Sequence, residues 1–220
     1  MSHNTAFTPF DRATWARAGH YDHYMNDSRC MHSTVVELDI TQLRRRLKAG
    51  GLRAYPAQIW LLTAAVNRHA EFRTGTDGQG RPGTYELRHP SFTVLNRQTE
   101  TFSCVWTPWE PDFSTFYRAA TEVMDTCADG SLVPPVPAGE MPPNVFDISS
   151  LPWLEFTGFH LSLFSQGTHL APIFSLGKYR ERDGRTLLPL AIQIHHAAAD
   201  GLHVGRFVQT LQELTDQFEG

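Results

Sequence analysis

The chain has 220 residues, of which 41 % are hydrophobic and 19 % charged, the proportions of a globular protein long enough to bury a sizeable core. Its 19 Lys and Arg against 23 Asp and Glu give a formal net charge of -4, which gives no reason to expect nucleic acid or an anionic membrane as a partner. Three cysteines, Cys30, Cys104 and Cys127, are odd in number and lack metal-like spacing, which argues against a disulfide framework.

The N-terminus lacks a basic region followed by an apolar core, and no apolar run approaches the roughly 18 residues of a membrane span, so a soluble, cytoplasmic protein is expected. Asp11 stands where an N-cap could be, ahead of a short helical turn carrying Trp15. The aromatic and histidine cluster His20, Tyr21, His23 and Tyr24 reads as a loop that packs its rings on something else. Thr34 to Ile40 alternates Val36, Leu38 and Ile40 against Val35, Glu37 and Asp39, the period of a strand. Thr41 then caps a helix to Lys48, with Leu43 and Leu47 on one face, and Gly50-Gly51 stops it. A second helix runs from about Pro56 to His69 and carries Ile59, Leu62 and Val66 inward.

Gly75 to Gly83 reads as a glycine-rich turn between short strands, the second of them Thr84 to Leu87. Phe92 to Arg97 and Thr101 to Trp106 form a strand pair joined by Gln98-Thr99-Glu100. Asp112 caps a helix carrying Phe113, Phe116, Tyr117, Ala120 and Met124. The segment Gly130 to Pro143 is rich in Pro and Gly; with no separate core available after it, it reads as a surface loop inside one domain spanning 1–220. Strands follow at Phe156 to Phe164 and at Pro172 to Tyr179.

Leu188, Leu190, Ile192 and Ile194 then alternate with Pro189, Ala191 and Gln193, a strand with one apolar face. Val204, Phe207, Val208, Leu211, Leu214 and Phe218 recur at helical spacing. His195-His196-Ala197-Ala198-Ala199-Asp200-Gly201 lies in the connection between them. A strand end fixes the backbone of a side chain while the loop after it leaves room for a substrate. Counting along the pleat puts His196 on the face of Ile192 and Ile194, where a neutral imidazole can take a proton from a hydroxyl near pH 7. Two other readings compete: a pair of hydrogen-bonded structural histidines, and a metal site from His196, Asp200 and His203 on one helical face, against which Gly201 and the preceding strand both speak.

His-His-x-x-x-Asp-Gly after a strand, followed by His203-Val-Gly-Arg-Phe and a terminal amphipathic helix, resembles the chloramphenicol acetyltransferases of the trimeric, non-hexapeptide-repeat type. The shorter motif is shared with dihydrolipoamide acyltransferases and other acyl transfer enzymes. The resemblance extends from Phe10 to the terminal helix. It implies a two-layer α/β sandwich with a mixed β-sheet, the coenzyme A-dependent acyltransferase fold, assembled as a homotrimer with active sites between subunits. Acetyl-CoA is the implied co-substrate, chloramphenicol the implied acceptor, and no metal is involved.

On the family's motif positions, His196 is the general base and Ser149, in Ile148-Ser149-Ser150-Leu151-Pro152-Trp153, hydrogen-bonds the oxyanion. Arg17 and Asp200 form an ion pair that shapes the histidine loop. Tyr24 and Cys30 of a neighbouring copy, with Thr99, Phe159, Leu161, Leu163 and Ile173, line the acceptor pocket, and Cys30 is a wall and not a nucleophile. Ser175 and Tyr179 contact the coenzyme. His23 and His32 stand where the family commonly has phenylalanines, and Arg97 where it often has glutamine, which makes the pocket more polar. Two alternatives remain at this point: an acetyl-CoA-dependent O-acyltransferase for another hydroxylated small molecule, and a ligand-binding relative without catalysis.

Overall fold

The structure, a computed structural model, describes residues 5–128, 141–161, 163 and 168–219. Its elements in chain order are β1 (Phe7–Pro9), α1 (Ala18–Asp22), β2 (Met31–Asp39), α2 (Thr41–Ala49), α3 (Ala54–Arg68), β3 (Thr74–Thr76), β4 (Pro82–Tyr85), β5 (His89–Asn96), β6 (Thr101–Trp106) and α4 (Phe113–Ala128). The second half adds β7 (Val145–Ser150), β8 (Ile173–Leu176), β9 (Arg180–Arg182), β10 (Arg185–His195) and α5 (Gly201–Gln217). The main sheet runs β2-β10-β8-β7-β5-β6, with β9 pairing the start of β10. It is mixed: β5 with β7 and β7 with β8 are parallel, the other pairs antiparallel. A small sheet, β1-β4-β3, stands apart. Gly83 in β4 passes so close to β1 that an added Cβ would lie 2.3 Å from the Thr8 carbonyl oxygen.

The helices cover one face of the main sheet, giving the two layers. Leu43 and Leu47 of α2, Ile59, Leu62 and Val66 of α3, Phe116, Ala120 and Met124 of α4, and Val204, Phe207 and Leu211 of α5 meet Leu188, Leu190, Ile192 and Ile194 of β10 in one core. By the strand alternation, Ala191, Gln193 and His195 then turn to the opposite face. There the segment 154–161 lies across the sheet. The Leu154 carbonyl accepts from Lys178 N at 2.7 Å, and the Gln193 amide bonds both Leu161 N and Leu161 O, at 2.6 and 2.8 Å.

Several elements differ from the sequence expectation. β2 begins at Met31 and not at Thr34, because Met31, His32 and Ser33 pair with His195, Ile194 and Gln193, and the polar pair His32-Ser33 hid the alternation. Thr41 is the first residue of α2 and not its cap: Asp39 Oδ1 accepts Thr41 N at 3.0 Å, while the Thr41 hydroxyl accepts Thr186 N. His20 to Tyr24 is helical, α1 followed by one π turn over His23–Asp27, where a loop was expected. Residues 156–161 carry no strand ladder; Gln193 satisfies the Leu161 backbone in place of a partner strand. The rest of that expected strand, residues 162 and 164, and most of the loop expected over 130–143 lie outside the described residues.

Candidate active site

β10 delivers His195 and His196 to the rim of the sheet. His196 N donates to Cys30 O at 3.0 Å, one residue past the β2–β10 ladder. The chain then turns back, with Ala198 N and Ala199 N both donating to His195 O at 2.9 and 3.2 Å, and Ala197 N donating to His195 Nδ1 at 3.1 Å. His195 is fully buried and serves this turn, the structural role weighed for the pair. His196 has a different environment. Its ring stacks on Tyr24 with centroids 4.0 Å apart and planes 6° from parallel, and the His32 ring stands 5.2 Å away. Nδ1 is buried without a hydrogen-bond partner, whereas Nε2 is not enclosed and carries no hydrogen bond among the described residues. The ring therefore presents one nitrogen outward.

The loop after His196 is held from three sides. Arg17 donates from Nη1 to Asp200 Oδ2 at 2.7 Å and from Nη2 to His196 O at 3.1 Å, so one guanidinium joins the carboxylate to the histidine backbone. His32 Nε2 meets Ala199 O at 3.2 Å. Asp200 caps α5, accepting Leu202 N on Oδ1 at 3.1 Å, with His203 Nδ1 2.8 Å from the same oxygen. Burial pushes the Asp200 carboxyl up, but Arg17, His203 and the Leu202 N–H together hold it below its ordinary range. Burial outweighs the bond to Ala199 O at His32 and keeps that imidazole below its ordinary range, hence neutral near pH 7. Burial raises the Cys30 thiol, which fits a pocket wall and not a nucleophile.

The resemblance placed Tyr24 and Cys30 on a neighbouring copy. In the structure both lie against His196 of their own chain, Tyr24 by ring stacking and Cys30 by its carbonyl. The π turn is what swings Tyr24 onto the imidazole, a local irregularity of the kind that recurs at functional sites.

A second group forms around Ser149, on the sheet face away from the helices. Its hydroxyl is 2.8 Å from that of Ser175 on the adjoining strand. Ile173 lies two residues before Ser175 and is buried, with Phe159 half-buried and Leu161 and Leu163 exposed on the crossing segment. Tyr179, exposed just past β8, carries the Arg44 guanidinium 4.1 Å above its ring centroid. Thr99 sits at the β5–β6 hairpin tip, its amide bonded to Asn96 Oδ1 at 3.2 Å.

The two groups do not meet within one chain. Ser149 pairs with Ser175, and Ser175 with Ala191, five residues before His196. Two strand spacings of about 4.8 Å and five residues of about 3.3 Å put the two residues about 19 Å apart. Thr99 lies further still from His196, beyond the Ser149 level of the sheet.

Sequence reasoning passed over the roles of several polar groups here. His203 bridges Asp200 and Glu71, Gln193 anchors the crossing segment, and Asp147 faces His169 at 3.7 Å, with burial raising the carboxyl and lowering the imidazole. Gln193 stands on the face of β10 opposite Ile192 and Ile194, where strand alternation allows a polar residue, so its anchoring role left no signal in the sequence. Among the described residues, no group of three His, Cys, Asp or Glu side chains could hold a metal ion, and no helix is long and apolar enough to cross a membrane.

A family model described as chloramphenicol acetyltransferase matches residues 5–212 of the chain. A chloramphenicol acetyltransferase of Streptomyces acrimycini is 47 % identical over 94 % of this chain and 93 % of its own length. One from Clostridium perfringens is 40 % identical over 97 % of this chain and 96 % of its own. Among solved structures, a chloramphenicol acetyltransferase superposes with a TM-score of 0.84 at 22 % identity, over 96 % of this chain and 100 % of that one, and so shares the fold.

Proposed function

The chain belongs to the chloramphenicol acetyltransferase family, and on that premise we propose that it moves the acetyl group of acetyl-CoA to the 3-hydroxyl of chloramphenicol, with His196 as general base and Ser149 as oxyanion donor. Acetylation of that hydroxyl inactivates the antibiotic. The observation that carries the assignment of His196 is its outward Nε2 on a ring fixed by Tyr24 and by the Arg17-clamped backbone. That nitrogen takes the proton of the attacking hydroxyl as the oxygen adds to the thioester carbon. A hydroxyl of Ser149 donating to the developing oxyanion contributes about 2.7 to 4 kcal/mol, the range for one such donor. Collapse of the tetrahedral intermediate breaks the carbon–sulfur bond, and the thiolate recovers the proton from His196. Ser175 and Tyr179, on the Ser149 side, meet the coenzyme in this reading, and Phe159, Leu161, Leu163 and Ile173 line the acceptor pocket.

A general base about 19 Å from its oxyanion donor cannot serve one tetrahedral centre. The separation supports a homotrimer in which His196, Tyr24 and Cys30 of one copy face Ser149 of the next. A heterologous interface of this kind closes into a ring when its rotation permits. The free state of Cys30, Cys104 and Cys127 supports a reducing, cytoplasmic setting. Release of free thiol from acetyl-CoA, followed with and without chloramphenicol, tests the activity: drug-dependent release is expected, and equal rates reject it. The neutral His32 ring beside His196 favours a second reading, a wider range of hydroxylated acceptors, which a panel of alcohols in the same assay resolves.

A further inference from the structure

The Asp200 carboxylate is gripped on both oxygens, and only one of the two grips is the Arg17 pair. Oδ2 receives Arg17; Oδ1 accepts Leu202 N and lies 2.8 Å from His203 Nδ1. The Nε2 atom of the same imidazole lies 3.4 Å from Glu71 Oε1, in the turn between α3 and β3. His203 is mostly buried, with 13 % of its side chain exposed. Its Nδ1 is also 3.2 Å from Asp200 N, the reciprocal bond of a capping box. Nδ1 accepts from Asp200 N and so cannot also donate to the carboxylate, which leaves its approach to Oδ1 a close polar contact, while Nε2 faces Glu71. The charged groups around the ring are Asp200 and Glu71 in contact, with His69 and Arg206 nearby.

We propose that His203 is a positioning residue for the reaction: with Glu71 behind it, its imidazole clamps Asp200 from the side opposite Arg17 and so fixes the loop that carries His196. The proposal rests on His196 being the general base. Arg17 and the Leu202 N–H hold the two carboxylate oxygens, but neither holds the Asp200 backbone; His203 fixes that backbone through Asp200 N, and the Arg17 guanidinium carries the constraint on to the His196 carbonyl. Arg17-Asp200-His203-Glu71 thus ties the segment before α1, the histidine loop, α5 and the turn after α3 into one unit.

The test uses the full-length enzyme with His203→Leu, His203→Asn, Glu71→Gln and the double variant Arg17→Met/His203→Leu. For His203→Leu, kcat is expected to fall on the order of tenfold, as removal of one hydrogen bond to the Asp200 backbone and a small misplacement of the base allow, with both KM values held within about twofold. His203→Asn, whose amide oxygen can accept from Asp200 N near the Nδ1 position, recovers most of that loss, and Glu71→Gln falls between. The double variant loses less than the product of the singles, because both act on Asp200. Unchanged kcat in His203→Leu, an Asn variant as slow as the Leu variant, or multiplicative losses would each overturn the proposal. An inactive parent would instead reject the assigned reaction. The clamp is then read from crystal structures of parent and His203→Leu, where a displaced 196–200 loop is expected and superposable loops overturn it.

Discussion

Mixing two inactive variants tests the two-copy site directly. His196→Ala removes the proposed base and is expected to cost at least about 10²-fold in kcat, and Ser149→Ala about 10²- to 10³-fold, the ranges for a general base and for one oxyanion donor. Each chain alone is then nearly silent. If a site takes His196 from one subunit and Ser149 from the next, a site is intact whenever a Ser149→Ala chain supplies the histidine and a His196→Ala chain the serine. With equal amounts of the two chains distributed at random around a ring, that arrangement arises at about one quarter of the interfaces, so co-expression should restore about one quarter of the parent activity per site. The expectation follows from the register, which places Ser149 level with Ala191 and not with His196. Purification through two different affinity tags removes rings of a single variant, and every mixed ring of three has one intact interface, so the selected material should show about one third of the parent activity in chloramphenicol-dependent thiol release. Activity no greater than the sum of the two single variants would refute the two-copy site, and with it the reasoning from strand register.

Three other outcomes are open to measurement. Arg17→Met leaves a mostly buried Asp200 with one cation fewer; the loss, set between exposed and buried ion pairs, is about 2 kcal/mol in a urea melt, and a change under 0.5 kcal/mol on the same scale of about 0 to 1 for exposed pairs would show the pair to be idle. Burial holds the His69 imidazole below its ordinary value, so below about pH 6.5 the unfolded chain takes its proton first and stability declines as pH falls through that range. His69→Gln should flatten the decline between urea midpoints taken at pH about 7.5 and 5.5, and an unaltered slope would contradict the assignment. Gly83→Ala drives a Cβ into the Thr8 carbonyl and the Phe7 ring, so it should detach β1 and open the N-terminal segment to limited proteolysis, leaving the parent resistant under the same digestion.

Most of the architecture was legible wherever apolar periodicity ran long enough to report it. α3, α4 and α5 each carry several turns of inward residues, and β10 alternates over most of its length. The histidine loop was legible for another reason: its chemistry sits on consecutive residues, bracketed by a strand and a helix that both announce themselves. α1 and the π turn were missed because five residues each hold too little periodicity to separate from a loop. The strand expected over Phe156 to Phe164 rests on alternation, which reports an extended, half-buried chain and says nothing of what pairs with it. Here that partner is the Gln193 side chain.

Ser149 could be singled out from Ser150 only by resemblance, and the structure gives the physical reason. The hydroxyl of Ser149 is aligned with Ser175 across a parallel pair that no local pattern records, since the two strands are joined by a long crossover. The residues that sequence reading found most easily, at the end of β10, are those whose neighbours along the chain are also their neighbours in space. Tyr24, Arg17 and Cys30 join them through contacts with the same short loop. Ser149, Ser175 and the crossing segment belong to a different region of the sheet, and one chain cannot fold them onto His196 without breaking the β10–β8 register that buries Ile192 and Phe174. Bringing base and oxyanion donor together through a second copy leaves that register and its core intact. Assembly is therefore the lower-cost route to a complete site in this fold.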